Sequence, residues 1–154
     1  MNHVVQASAG QAGVRWYELR TSPYRATISN LGLFQSGTFA PDSNYRWMGS
    51  MAQDKNGDIA LGYSESSSSS DPSIYVTGRV LGDPIGQMEE EVQLPPLTGT
   101  GPQGITPPRW GDYSSMAIDP SDGCTFWYVQ EYYLSGNGSN WHTRLNSFRF
   151  NGCQ

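Results

Sequence analysis

The chain has 154 residues, a formal net charge of −5 and two cysteines, which is length enough for one domain with a sizeable core. Apart from Glu89-Glu90-Glu91 its acidic residues are scattered, and no basic stripe accompanies them, which argues against nucleic acid as a partner. No apolar run approaches the ~18 residues that a membrane-spanning segment needs, and Met1 to Gln6 lacks the charged and apolar regions of a signal peptide.

Eighteen glycines and ten prolines are spread along the chain beside nine Tyr, five Trp and five Phe. That mixture favours many short strands joined by turns. A first unit covers residues 4–41. Val4 to Ser8 is a short apolar run. Gly13 to Arg20 alternates, with Val14 and Trp16 on one face, and Leu31 to Phe39 is interrupted by Gly32 and Gly37. Alternation of this length predicts half-buried strands.

A second unit covers residues 46–97. Its strands are expected over Ser50 to Gln53, Ile59 to Ser64, Ser73 to Leu81 and Glu90 to Leu94. Asp54-Lys55-Asn56-Gly57 suits a hairpin turn, because Asn and Gly tolerate positive φ. The Ser-rich stretch Ser66 to Asp71 reads as a loop. A third unit covers residues 109–150, with strands expected over Tyr113 to Ile118, Thr125 to Tyr133 and Trp141 to Phe150. No helical period of useful length is present.

The second and third units repeat one another. Ser50-Met51-Ala52-Gln53-Asp54 returns 65 residues later as Ser115-Met116-Ala117-Ile118-Asp119. Arg46-Trp47 precedes the first copy and Arg109-Trp110 the second. A period of this order, with turns inside it, is the signature of stacked repeats, and a four-stranded propeller blade needs ~40–50 residues. The expectation is therefore an all-β fold of about two and a half to three four-stranded antiparallel blades, complete over 46–97 and partial over 4–41 and 109–150. The first unit lacks an innermost strand and the last an outermost one. Such a segment cannot close a ring alone, and its open edges call for a partner. That partner is either further copies of the chain or the remainder of a longer propeller.

Cys124 and Cys153 lie about symmetrically around Gly138-Ser139, in the loop that joins the last two strands. Residues equidistant from a hairpin centre face each other across the ladder, so a disulfide is expected, and with it an exported, extracellular protein. Asp54, Asn56 and Asp58 have the opening spacing of a calcium loop. Gly57 falls one place early for that motif, and a hairpin turn is the better reading. No cofactor is expected beyond that calcium option.

Ser121-Asp122-Gly123-Cys124-Thr125-Phe126-Trp127 resembles an Asp-box turn, the repeated hairpin of bacterial-neuraminidase-repeat and sialidase-like propellers. Asp54-Lys55-Asn56-Gly57 occupies the matching place one unit earlier. Arg109-Trp110-Gly111-Asp112-Tyr113-Ser114 is similar to the motif that opens a blade in exported bacterial propellers. The resemblance implies a propeller over residues 46–150. If it extends to activity, it implies a glycoside hydrolase, with Arg46 and Arg109 gripping a carboxylate, Tyr113 as nucleophile and Asp112 as acid/base.

Recurrence of the Arg-Trp pair argues instead for packing between repeats, since catalytic residues are singular. The leading expectation is a non-catalytic module that binds a glycan or a surface protein through Trp47, Trp110, Tyr113, Tyr132 and Tyr133. A ring-forming scaffold and the sialidase-like hydrolase are the alternatives.

Overall fold

A computed structural model describes residues 1–21, 30–95, 101–103, 109–134 and 141–154, and among them there is no α-helix. Among the described residues ten strands form three antiparallel sheets, each a meander in chain order. The first sheet holds β1 (Asn2–Ser8), β2 (Gln11–Thr21) and β3 (Leu31–Phe39). The second holds β4 (Tyr45–Gln53), β5 (Ile59–Ser66), β6 (Ser73–Arg79) and β7 (Val92–Gln93). The third holds β8 (Ser115–Ile118), β9 (Phe126–Tyr132) and β10 (His142–Phe148). The all-β expectation holds, and the three sheets do not close on one another.

The boundaries differ from the sequence reading where side chains intervene. β6 stops at Arg79 because the Val80 N–H turns to Asp83 Oδ2 at 2.7 Å, which leaves Leu81 exposed. β4 starts earlier than expected, at Tyr45, because it continues through a bulge between Trp47 and Ser50. Met48 sits there at φ 50°, the one non-glycine residue with positive φ among the described residues. That conformation is strained for a residue with a Cβ.

The second sheet is buried on both faces. Ile59, Leu61 and Tyr63 of β5 meet Val14, Trp16 and Phe39 of the first sheet. Ala60, Ile74 and Val76 meet Met116, Phe126 and Tyr128 of the third. β5 is accordingly buried from Ile59 to Glu65 instead of alternating, as a strand covered on both sides must be. β4 and β8 run side by side, with the Met116 N–H donating to Ser50 Oγ at 2.8 Å and Ser114 Oγ donating to the Met48 carbonyl at 3.0 Å.

Glycines set how closely the second and third sheets approach. The Tyr128 ring lies over Gly62 and the Phe150 ring over Gly78, in the space that a Cβ would take. Gly62→Ala should therefore cost about 2–3 kcal/mol through overpacking. Gly82, which has nothing within 4 Å of a Cβ position, should accept alanine within about 0.5 kcal/mol. Urea midpoints of the two variants check this, and equal midpoints would refute it.

The repeated Ser-Met-Ala-x-Asp segments do form equivalent structure. Each makes the first strand of its sheet and ends in an Asp whose Oδ1 accepts the amide two residues on, Asn56 N for Asp54 and Ser121 N for Asp119, both at 2.9 Å. The two turns touch, because Lys55 donates from its backbone to the Gly123 carbonyl and from Nζ to the Asp122 carbonyl, each at 2.9 Å. Asp122 accepts from the Thr125 hydroxyl at 2.6 Å and from the amides of Cys124 and Thr125. Those bonds, the hydroxyl first, hold its carboxyl down to about 2.

The Arg-Trp pairs do not share surroundings. Arg46 is fully buried, whereas the Arg109 side chain is 70% exposed. The two arginines are not equivalent packing residues.

Cys124 and Cys153 are bonded, with their Cα atoms 5.6 Å apart. They are not direct ladder partners. The β9–β10 register, Phe126 opposite Phe148, would set Phe150 across from Cys124. A turn through Asn151 and Gly152, the latter at φ 102°, brings Cys153 back. The loop 135–140, which holds the expected hairpin centre, lies outside the described residues.

Candidate functional site

A cleft of about 480 Å³ opens at one end of the third sheet. Its walls are the segment Arg109 to Tyr113, the last residues of β9 with Tyr133 beyond them, Trp141 just before β10, Thr143 within it, and Gln103. The segment 109–113 is fixed by a turn at Gly111, where φ is 61°. The Gly111 N–H donates to Glu131 Oε2 at 2.8 Å. The bulge in β4 supports it from behind, since the strained Met48 turns its carbonyl toward Ser114 Oγ and toward Gln130 Nε2 at 3.1 Å. Bulges often re-aim groups beside functional sites in this way.

Trp110 forms the inner wall. Its ring lies 4.9 Å from that of Tyr133 and its Nε1 donates to Ser64 Oγ at 3.0 Å. Trp47 meets it edge-on at 6.5 Å. Tyr133 is buried and its hydroxyl accepts from Gln103 Nε2 at 2.9 Å. At the rim, Tyr113 is 91% exposed and Trp141 61%. Arg109 donates from Nε, at 3.1 Å, and from Nη2 to the same oxygen of Asp112, Oδ2. The cleft thus combines ring faces on its walls with carboxylate, guanidinium and amide groups.

The structure brings Trp110, Tyr113, Tyr133, Arg109 and Asp112 together. Of the other residues expected to bind, Trp47 stands behind Trp110, outside the cleft lining. Tyr132 packs against the core between the second and third sheets, with its ring 5.6 Å from His142. Gln103, Glu131 and Trp141 were not expected. Only Trp141 left a signal, as a tryptophan opening a strand that pairs back onto the end of β9. No protein-family model matches the chain, and no curated protein or solved structure does either.

Arg46 belongs to a separate cluster in which Arg46 and Glu65 are buried and Asp42 is half exposed. Its Nε donates to Glu91 Oε2 at 2.9 Å and its Nη1 to Asp42 Oδ1 at 2.8 Å, while Nη2 reaches both Asp42 and Glu91. Glu65 lies 3.9 Å away and accepts from Asn44 Nδ2 at 3.1 Å. Tyr63 donates to Glu91 Oε2 at 2.6 Å. The guanidinium is thereby saturated and has no edge left for a substrate carboxylate. The Tyr63–Glu91 pair has the composition of an activated nucleophile but the wrong environment. Burial first, then the bond to Glu91, pushes the phenol well above its ordinary range, and activation needs the opposite shift.

The calcium-loop residues are engaged in hydrogen bonds of the turn. Asp54 Oδ1 is occupied by the Asn56 and Asp58 amides, Asp58 Oδ1 accepts the Leu81 N–H at 2.9 Å, and Asn56 Nδ2 reaches toward the Gly152 carbonyl at 3.4 Å. Asp54 Oδ2 is buried without a hydrogen-bond partner. Among the described residues no group of three or more His, Cys, Asp or Glu is placed to hold a metal ion.

Proposed function

We propose that the chain is a non-catalytic carbohydrate-binding module whose ligand enters the cleft between Tyr113 and Trp141. The observation that carries this reading is the pair of exposed rings beside a polar rim of Arg109, Asp112, Glu131 and Gln103. A sugar ring offers C–H faces that stack on aromatic faces and hydroxyls that satisfy planar polar groups. Binding is favoured over hydrolysis because Arg46 and Arg109 serve different sites, and because Asp112 is already paired with a guanidinium.

In this reading the three sheets are successive blades of a β-propeller, in keeping with the resemblance to Asp-box proteins. Its missing blades come from further polypeptide or from other copies of the chain. The open edges of β3 and β10 support that need for a neighbour. An experimental structure of the complete assembly in which the edges of β3 and β10 both stay without a neighbour would remove it. An extracellular setting agrees with the disulfide. No helix among the described residues is long and apolar enough to cross a membrane.

Titration of the chain with a panel of oligosaccharides, read by tryptophan fluorescence, tests the binding function. Tyr113→Ala and Trp141→Ala should each weaken binding about tenfold, the value of one stacking contact. Absence of any response from the unaltered chain would dismiss the proposal.

A further inference from the structure

We infer that the cleft selects neutral sugars presenting two hydroxyls on adjacent carbons, and that the Arg109–Asp112 pair determines this specificity. The inference rests on the carbohydrate reading above and narrows it to a ligand class.

Arg109 directs Nε and Nη2 to one oxygen of Asp112, Oδ2. Its Nη1 and the second carboxylate oxygen, Oδ1, make no hydrogen bond among the described residues, and the two side chains are 70% and 36% exposed. The pair therefore presents unused donors and an unused acceptor at the rim of the cleft. A hydroxyl donates one bond and accepts others. Two hydroxyls on neighbouring ring carbons stand about one hydrogen-bond length apart, so one can donate to Asp112 Oδ1 while its neighbour accepts from Arg109 Nη1. Bonds to charged partners are the stronger kind. A site built to pair hydroxyls rejects analogues that lack them, because its own polar groups are then left unpaired.

Charge decides against an anionic sugar. Arg109 contributes +1, while Asp112 and Glu131 contribute −1 each, so the charged groups lining the cleft sum to −1. Asp112 already neutralises the guanidinium, and Glu131 is held in the wall by the Gly111 N–H. An incoming carboxylate would shed water and meet two like charges. This is the reverse of the sialidase-like expectation, in which Arg109 grips the carboxylate of its substrate.

The test is calorimetric titration of the full chain with cellotetraose, mannotetraose, xylotetraose and lactose as neutral probes, and sialyllactose and tetragalacturonate as anionic ones. At least one neutral probe should bind tenfold or more tightly than either anionic probe. Arg109→Ala and Asp112→Asn should each reduce that affinity tenfold or more with unchanged melting temperature, and Arg109→Lys should not restore it. Preference for an anionic probe that is lost in Arg109→Ala would overturn this inference and leave carbohydrate binding standing. Neutral binding that survives in both variants would also overturn it. No binding of any probe would overturn both readings.

Discussion

Arg46→Met should destabilise the protein by about 3–5 kcal/mol at neutral pH, the usual effect of removing one partner from a buried ion cluster. Methionine fills much of the same volume, so the loss comes from charge more than from a void. The variant leaves Asp42, Glu65 and Glu91 facing one another without a cation. In the unaltered chain the bonds from Arg46 hold the Asp42 carboxyl below its usual range. Burial, and then the Glu91 charge, raises that of Glu65.

The two shifts have opposite consequences. The lowered Asp42 contributes stability above the ordinary carboxylate range, and that contribution is lost as pH falls through its folded value. The raised Glu65 makes stability fall as pH rises from the ordinary glutamate value through its folded value. Without Arg46 the second behaviour should dominate and spread to Glu91, so the deficit of the variant should shrink between pH 7 and pH 5. Urea unfolding at both pH values measures this. A deficit that is constant or larger at pH 5 would refute the electrostatic account. Adding Glu65→Gln and Glu91→Gln to Arg46→Met should recover part of the loss at pH 7.

Removing the disulfide by Cys124→Ala with Cys153→Ala should lower stability by about 3–4 kcal/mol, from the entropy released to the unfolded chain by a loop of this size. The two cysteines are 29 residues apart in sequence and both are buried, so reduction of the native protein should also be slow. The bond anchors the end of the chain beside the Asp122 turn, next to the contact from Asn56 to the Gly152 carbonyl. Chemical unfolding of the double variant reads the effect, and a free-thiol assay of the native protein provides the control. Two reactive thiols before reduction would contradict the pairing.

The strands were legible because their alternation is local. Val14 and Trp16 declare the buried face of β2 within a few residues, and Gly57 and Asn56 declare the turn after β4. The bulge at Met48 was hidden, since what supports its strained carbonyl is Ser114 and Gln130, more than 60 positions away. Arg46 was misleading for the same reason. Its recurrence beside a Trp suggests an equivalent of Arg109, but beyond the nearby Asp42 its partners are Glu65 and Glu91, from a different strand and loop. The cleft was half legible. Arg109, Trp110, Asp112 and Tyr113 fall within five consecutive positions, so the sequence shows them together. Gln103, Glu131 and Trp141 reach them only through the folding of the third sheet.

The aromatic rings seated over Gly62 and Gly78 make the sheets non-interchangeable. A tandem protein carrying a second copy of residues 45–93 would set the Gly62 hollow against Leu61 of the next copy, the residue that matches Tyr128 in register and lacks the flat ring to fill it. Anyone lengthening this stack by design must graft the Tyr128 and Phe150 positions onto each added unit, because the lock and its key reside on different sheets.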